Sequence, residues 1–190
     1  MRTRLSTQER REQLLTIGAG LFAKRPYDEV WIEEVAEIAQ VSRGLLYHYF
    51  PTKKEFFAEI VRSQRDQLLE MSEPDPALPV AEQLRAGLDV YLEFARTHPD
   101  GYRIVHRAAA GADREVLRIR EAGMAANAER ILAALGALTT VTETTRVAVR
   151  GWLAFVATVI LDWLDQPKIT QAELRDLCVR TLFAAVGVTP

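Results

Sequence analysis

Residues 41–55 read VSRGLLYHYFPTKKE, and this stretch decides the interpretation of the whole chain. Ser42 is a favourable N-cap for a helix of barely two turns, which ends before Pro51 because proline cannot continue a helix. Just upstream, residues 32–39 carry apolar side chains three and four positions apart, as in a second short helix. Two short helices joined by a tight turn form a helix-turn-helix, whose second helix presents its N-terminal residues to base edges. The stretch therefore predicts a helix that lies in the major groove of DNA.

The expected open face of this second helix carries side chains suited to DNA. Arg43, near the helix start, can make a bidentate contact to guanine, and Gly44 lets the helix approach closely. Tyr47 adds a hydroxyl group. Thr52 and Lys53 stand at the next helix N-terminus, where free N–H groups and the helix dipole favour a phosphate. The predicted DNA contacts are Ser42, Arg43, Gly44, Leu45, Tyr47, His48, Tyr49, Thr52 and Lys53.

The composition of the 190-residue chain, with 48% hydrophobic and 26% charged residues, fits one globular domain or two small ones. The first eleven residues are polar and charged, so no secretory signal is expected. The longest apolar run, residues 151–161, is shorter than the roughly 20 residues of a membrane-spanning helix. Cys178 is the only cysteine, which rules out an internal disulfide bond. We expect a cytoplasmic protein without a membrane segment.

The charge pattern excludes a uniformly basic DNA-binding domain. The net charge is −2, although phosphate neutralisation dominates the affinity of proteins for nucleic acids. Acidic residues fall together at Glu33, Glu34 and Glu37, while basic residues flank the segment from residue 43 to residue 54. The sequence therefore predicts no more than a local basic edge beside the reading helix.

Helical periodicity runs through the rest of the chain, and no segment alternates as a β-strand does. The first helix is expected from about residue 7 to before Pro26. A long helix follows from the N-cap Thr52, with Glu55 completing a capping box, to about residue 71. After a proline-rich linker at residues 72–79, five helices are expected at about 80–97, 99–109, 113–137, 143–165 and 170–187. The sequence predicts an all-α fold.

The stretch 41–55 resembles the signature of TetR-family transcriptional regulators, and the upstream segments 14–23 and 35–39 agree with the family's first two helices. The motif covers about the first sixty residues. The resemblance implies an N-terminal three-helix DNA-binding domain, followed by a divergent helical bundle that dimerises and binds a small-molecule inducer. We accordingly divide the chain into a helix-turn-helix domain at residues 1–52 and an effector-binding and dimerisation domain at residues 53–190, linked by the helix 53–71.

Two positions depart from the residues usual in the family. Trp31 stands where the family usually has threonine or serine, and its indole cannot accept the hydrogen bond that would cap the second helix. Gln40 stands where the family usually has glycine, at a turn position that tolerates a left-handed backbone, at a cost of about 1 kcal/mol. For His48, an exposed histidine without a base contact is an equal alternative. Neither departure removes the reading helix.

The last two expected helices are apolar on more than one side, which a monomeric bundle rarely needs. One face can pack inside the bundle while the other meets a symmetry-related copy, and a two-fold dimer presents two reading helices at a fixed spacing. A well-filled core without dimerisation is the alternative. We predict a homodimer whose interface includes Val156, Ile160, Trp163, Leu174, Leu177, Thr181 and Ala185.

A small-molecule effector is expected between facing helices of the bundle, where amphipathic or polar residues interrupt apolar faces. For each such residue, a core or interface side chain is the alternative. An effector would act by preferring a bundle arrangement that moves the two reading helices out of register. The candidate lining residues are Tyr91, Phe94, Tyr102, His106, Met124, Asn127, Trp152 and Phe155.

An enzyme is a poor alternative, because three histidines and one cysteine show no metal-ligand spacing and no nucleophile motif or phosphate-binding glycine loop is present. No metal and no cofactor is expected. With the resemblance, the sequence predicts a repressor that binds a palindromic double-stranded DNA operator and is released by a small apolar or amphipathic effector. A dimer that binds DNA without any ligand, and whose bundle serves only dimerisation or protein interaction, is the alternative.

Overall fold

The structure is a computed structural model that describes residues 5–107 and 114–188. Within these residues all regular structure is helical, which confirms the predicted all-α fold. The helices are α1 Thr7–Phe22, α2 Ile32–Ala39, α3 Arg43–Tyr49, α4 Lys53–Met71, α5 Val80–Thr97, α6 Pro99–Arg107, α7 Arg114–Leu135, α8 Glu143–Asp165 and α9 Gln171–Val186. Their bounds agree with the sequence expectations to within a few residues. Residues 108–113, which include the expected end of one helix and the start of the next, lie outside the described residues.

The chain divides into two compact units, residues 1–65 with 98–119 and residues 66–97 with 120–190. The sequence analysis divides the chain between residues 52 and 53. In the structure the first turns of α4 belong to the first unit, because Phe56, Phe57 and Ile60 are buried in its core. Val116 and Ile119 of α7 join the same core. The two units therefore each take part of α4 and part of α7.

The core of the first unit is built around aromatic rings. The ring centroids of Phe22 and Phe57 lie 4.8 Å apart, and those of Phe50 and Phe56 lie 4.8 Å apart. Leu46 is completely buried and belongs to the same core. Because Phe50 and Leu46 anchor the short helix α3, tertiary packing supplies the stability that a seven-residue helix lacks on its own.

In the second unit α5, α8 and α9 pack against one another. The buried indole of Trp152 in α8 donates a hydrogen bond to the carbonyl oxygen of Cys178 in α9 at 2.8 Å. Arg175 of α9 donates to the carboxylate of Asp89 in α5 at 3.0 Å. Burial raises the pKa of the Cys178 thiol to about 11, which keeps it protonated at neutral pH. Cys178 therefore acts as a small core side chain.

Among the described helices, α8 is long and apolar enough by length and composition to cross a membrane. The apolar run 151–161 is only part of this helix, which has 23 residues. One such helix is weak evidence, because a core helix of a soluble protein meets the same criterion. In α8 the buried Val149, Trp152, Val156 and Ile160 give the helix one face inside the unit.

Candidate nucleic-acid interface

The turn between α2 and α3 closes through the backbone of Gln40, which has φ 54° and ψ 45° and lies in the left-handed region. This conformation lets the N–H of Val41 donate to the carbonyl oxygen of Ala36 at 2.9 Å, which satisfies the end of α2. The side chain of Ser42 then caps α3 by accepting from the N–H of Leu45 at 3.1 Å. The predicted left-handed turn residue and the predicted cap are both confirmed.

Replacing Gln40 by glycine is expected to raise the free energy of unfolding by about 0.5–1 kcal/mol. A left-handed backbone costs a residue with a side chain about 1–2 kcal/mol, and the greater unfolded-chain entropy of glycine offsets part of this gain. Urea denaturation measures the difference. Gln67→Gly, at an exposed position inside α4, is the matched control and should lower the stability by roughly 0.5–1 kcal/mol. If both variants are destabilised, the strain assigned to Gln40 does not exist.

Helix α2 begins without a side-chain cap. Trp31 occupies the N-cap position, makes no capping hydrogen bond and is 65% exposed. The missing cap agrees with the expectation for an indole, which has no acceptor atom. The negative charge of Glu34 in the first turn interacts favourably with the helix dipole and stabilises α2. The Glu34 carboxylate also accepts a hydrogen bond from Arg25 at 2.5 Å.

The two sides of α3 differ as a reading helix requires. Leu46 faces the core, while Leu45 and Tyr47 are 37% and 38% exposed. Apart from the adjacent residues and the backbone of α3 itself, no described heavy atom lies within 4 Å of the position that a Cβ on Gly44 would occupy, so the surface there is open to an approaching partner. The predicted contact residues that the structure leaves exposed are Ser42, Arg43, Gly44, Leu45, Tyr47, His48 and Thr52. Tyr49 instead is half-buried against the core of the first unit.

Two carboxylates of α2 contact the predicted DNA-reading side chains of α3. The Tyr47 hydroxyl donates to Oε1 of Glu33 at 2.6 Å, and this hydrogen bond holds the pKa of Glu33 below its ordinary value. Nη2 of Arg43 lies 3.8 Å from Oε1 of Glu37, and both side chains are about 70% exposed. Because this ion pair is exposed, water screens the attraction between the two charges, and Arg43 can turn toward DNA. Sequence reasoning noted these acids and missed both contacts.

The start of α4 places a cation beside the reading helix. Thr52 accepts from the N–H of Glu55 at 3.1 Å, which confirms it as the N-cap. Nζ of Lys53 lies 4.4 Å from the centroid of the Tyr27 ring, and this cation–π contact keeps the ammonium group near the helix N-terminus. A phosphate oxygen at this end would meet free backbone N–H groups and a lysine.

The eight candidate effector residues are split between the two compact units. Tyr102 and His106 lie in the first unit on α6, with their rings stacked at 4.2 Å between centroids. The other six lie in the second unit, and the indole N–H of Trp152 is already bonded inside it. The half-buried members of this second group are Tyr91, Phe94, Met124, Asn127 and Phe155. That these residues line an effector site stays a prediction.

A small cleft in the first unit lies between α1, α4 and the start of α6. Its lining includes Phe22, Phe57, Gln64 and His98, and its volume is about 10 Å³. A volume of roughly 10–15 Å³ holds a single water molecule. This cleft therefore offers no room for an effector. In the described residues no group of three histidine, cysteine, aspartate or glutamate side chains is placed to hold a metal ion.

Three of the seven predicted dimer residues need a correction. Val156, Ile160 and Leu174 are at most 3% exposed, because packing between α8 and α9 within one chain already covers them. They cannot offer surface to a second copy. The other four predicted residues keep some exposure: Trp163, Leu177, Thr181 and Ala185.

Comparison with known proteins places this arrangement among bacterial regulators. A family model described as "Bacterial regulatory proteins, tetR family" matches residues 14–60. A second model, "Tetracyclin repressor-like, C-terminal domain", matches residues 80–185. The crystal structure of a tetR-family transcriptional regulator from Streptomyces coelicolor superposes with a TM-score of 0.89 at 28% identity, covering 96% of this chain and 82% of that one.

The matches to curated relatives cover only part of this chain. The HTH-type transcriptional activator FasR of Mycolicibacterium smegmatis is 31% identical over 106 residues, 54% of this chain and 48% of FasR. The HTH-type transcriptional repressor KstR2 of Rhodococcus jostii is 39% identical over 59 residues, 31% of this chain and 29% of KstR2. The chain thus matches about half or less of the length of these relatives.

Proposed function

The chain belongs to the tetR family of bacterial regulatory proteins, and on that basis we propose that it is a ligand-responsive repressor that binds a palindromic operator as a dimer. It is a DNA-binding transcriptional regulator and not an enzyme. The observation that carries the proposal is the exposure of Arg43, Gly44 and Tyr47 on an α3 that buried Leu46 holds in place. These side chains can reach base edges in the major groove, and Lys53 can bind the adjacent phosphate.

A two-fold dimer would form through the face of α8 opposite its buried face. Val147, Gly151, Ala154 and Thr158 recur at four, three and four residues, so they share one face, and all four are exposed in the single chain. These four side chains carry no charge, and three of them are small enough to allow a second helix to approach closely, whereas the same row ends in acidic residues at Glu143 and Asp162. An isologous contact through it would present the two α3 helices to the two half-sites of a palindrome.

Ala154→Arg is expected to convert the dimer into monomers, because a guanidinium group at the centre of this face would be buried without a partner. Sedimentation equilibrium at micromolar concentration measures the change in mass. Ala86→Arg adds the same charge at an exposed position of α5 and should leave the dimer intact. A dimer that survives Ala154→Arg would place the interface elsewhere on the chain.

The effector is proposed to be a small apolar or amphipathic molecule bound in the second unit. The half-buried Tyr91, Phe94 and Phe155 offer it aromatic surface, and Asn127 offers an amide. Such a molecule releases DNA only if it binds the released arrangement more tightly than the DNA-bound one. KstR2 is named a repressor and FasR an activator, so repression rests on the family resemblance. A regulator of this kind would act in the cytoplasm.

The experiment that tests the proposal is selection of duplex DNA from a random pool by the purified protein. A palindromic consensus bound at two salt concentrations, with weaker binding at the higher salt, is the expected result because phosphate contacts release counterions. A reporter gene carrying the consensus then gives the direction of regulation. Failure to enrich any sequence would overturn the proposal.

A second experiment distinguishes a ligand-responsive repressor from a dimer that binds DNA without any ligand. Thermal-shift screening with apolar and amphipathic compounds should find molecules that raise the unfolding midpoint, because a ligand of the native state stabilises it by mass action. A stabilising compound should also lower the affinity for the consensus duplex. If no compound does both, the bundle serves dimerisation or a protein partner.

A further inference from the structure

The hydrogen bond between Tyr47 and Glu33 fixes what the Tyr47 hydroxyl can offer to DNA. A phenolic hydroxyl group carries one hydrogen atom and an ionised carboxylate carries none, so the hydrogen in the 2.6 Å contact belongs to Tyr47. The contact lowers the pKa of Glu33 and raises that of Tyr47, so each keeps this protonation state at neutral pH. The phenolic oxygen retains only its lone pairs for any further partner.

The carboxylate is held in place by its helix and its neighbours. Glu33 lies in the first turn of α2, where the adjacent Ile32 is 4% exposed and anchors that turn in the core. Arg43 and Lys53 both act on the same carboxylate through their positive charge. The anchored first turn of α2 therefore presents the Glu33 carboxylate, a negatively charged acceptor, at the side of α3.

A phosphate is a poor partner for a hydroxyl in this position. A phosphate oxygen accepts hydrogen bonds, and the only hydrogen on the Tyr47 hydroxyl is engaged by Glu33. A phosphate would also have to approach the carboxylate, and like charges repel. The exposed hydroxyl oxygen instead suits a hydrogen-bond donor, and the negative charge of Glu33 makes that oxygen a stronger acceptor.

We propose that Glu33 is a specificity-determining residue that turns the Tyr47 hydroxyl into an acceptor, so that Tyr47 reads an exocyclic amine of adenine or cytosine. These amines, N6 of adenine and N4 of cytosine, are the hydrogen-bond donors that bases present in the major groove. Arg43, four residues earlier, reads guanine from the same face of α3. Four residues span about 6 Å of helix, so the two bases lie within about two base pairs of each other. The inference rests on the proposed binding of DNA by α3.

The test compares the unaltered protein with Tyr47→Phe in selections from the same random duplex pool. The unaltered protein should select adenine or cytosine at one position of each half-site, and Tyr47→Phe should lose the preference at that position alone. Replacing the selected base by purine or 2-pyrimidinone, which lack the amine, should weaken binding of the unaltered protein roughly five- to tenfold. The same replacement should change the affinity of Tyr47→Phe less than twofold.

Glu33→Ala and Glu37→Ala separate the role of the hydrogen bond from that of charge. Both remove one acid from α2, so both should raise the affinity for unrelated duplex DNA. Only Glu33→Ala frees the Tyr47 hydrogen, so only Glu33→Ala should lose the discrimination between bases with and without the amine. The helical circular dichroism and unfolding midpoint of each variant show that it is folded.

Three results would overturn the inference. Equal sensitivity of the unaltered protein and Tyr47→Phe to loss of the amine would show that Tyr47 does not read it. Full discrimination by folded Glu33→Ala would show that Glu33 does not set the role of the hydroxyl. If the unaltered protein selects no sequence, the proposed function is overturned together with this inference. The first two results overturn only the inference and leave the proposed function intact.

Discussion

The double variant Arg43→Ala/Tyr47→Ala is expected to bind the selected operator roughly 25- to 1,000-fold more weakly than the unaltered protein. A base contact of this kind contributes about 1–3 kcal/mol of discrimination, and about 1.4 kcal/mol corresponds to a factor of ten. Both side chains are exposed on α3, and their α2 partners are surface carboxylates. Their removal should therefore leave the fold intact. Fluorescence anisotropy with a labelled duplex measures the affinity.

The specificity of this effect is checked with Arg96→Ala. Arg96 is an exposed arginine of α5 that pairs with Glu93 at 2.6 Å, in the other compact unit. Loss of this exposed ion pair should cost roughly 0–1 kcal/mol of stability, so Arg96→Ala should fold. Because salt screens a single exposed charge, its removal should change operator affinity by less than about threefold. Operator binding retained by the double variant would mean that α3 does not read the bases.

Gly18→Ala is expected to lower the free energy of unfolding by about 1–3 kcal/mol, although alanine is the better helix former by about 1 kcal/mol. A Cβ at this position would lie 2.6 Å from Cε1 of Phe56 and 2.8 Å from Cδ1 of Ile60, well inside van der Waals contact. Phe56 is completely buried and Ile60 is 2% exposed, so neither side chain has room to retreat. Helices α1 and α4 would have to move apart. Urea denaturation measures the loss.

Gly20→Ala is the matched control for this prediction. Gly20 lies two residues further along α1 and is exposed. Apart from adjacent residues and the backbone of α1 itself, no described heavy atom lies within 4 Å of the position that a Cβ would occupy. The same substitution should therefore raise the stability by about 1 kcal/mol through helix propensity alone. The two variants are expected to differ in sign. If both stabilise the protein, the close approach at Gly18 is not part of the native fold.

Much of the local structure could be predicted from the sequence because it depends on neighbours in the chain. The N-cap role of Ser42 and Thr52 requires only a side-chain oxygen within three residues of a free N–H. The left-handed conformation of Gln40 follows from the geometry of a short turn between two helices. The exposed face of α3 could be predicted because residues three and four apart share one side of a helix.

Helical periodicity was a poorer guide to the partner of each buried side chain. Val156, Ile160 and Leu174 were expected at a dimer surface, yet they pack within one chain. A helix that is apolar on two faces is expected to bury both of them. The pattern does not show which face packs in the core of its own chain and which face meets a partner. The division between compact units is also a matter of packing, since α4 and α7 each run through both.

The sequence by itself determined the order and bounds of the helices, the caps, the turn and the helix-turn-helix, because these features depend on interactions within a few residues. The tertiary structure decided which residues from distant positions meet. Glu33 reaches Tyr47 across fourteen residues, and Gly18 meets Phe56 on another helix. Both contacts depend on how two helices cross, which a one-dimensional pattern of apolar and polar residues does not specify. The acceptor role proposed for Tyr47 therefore depends on packing that the sequence motif alone does not contain.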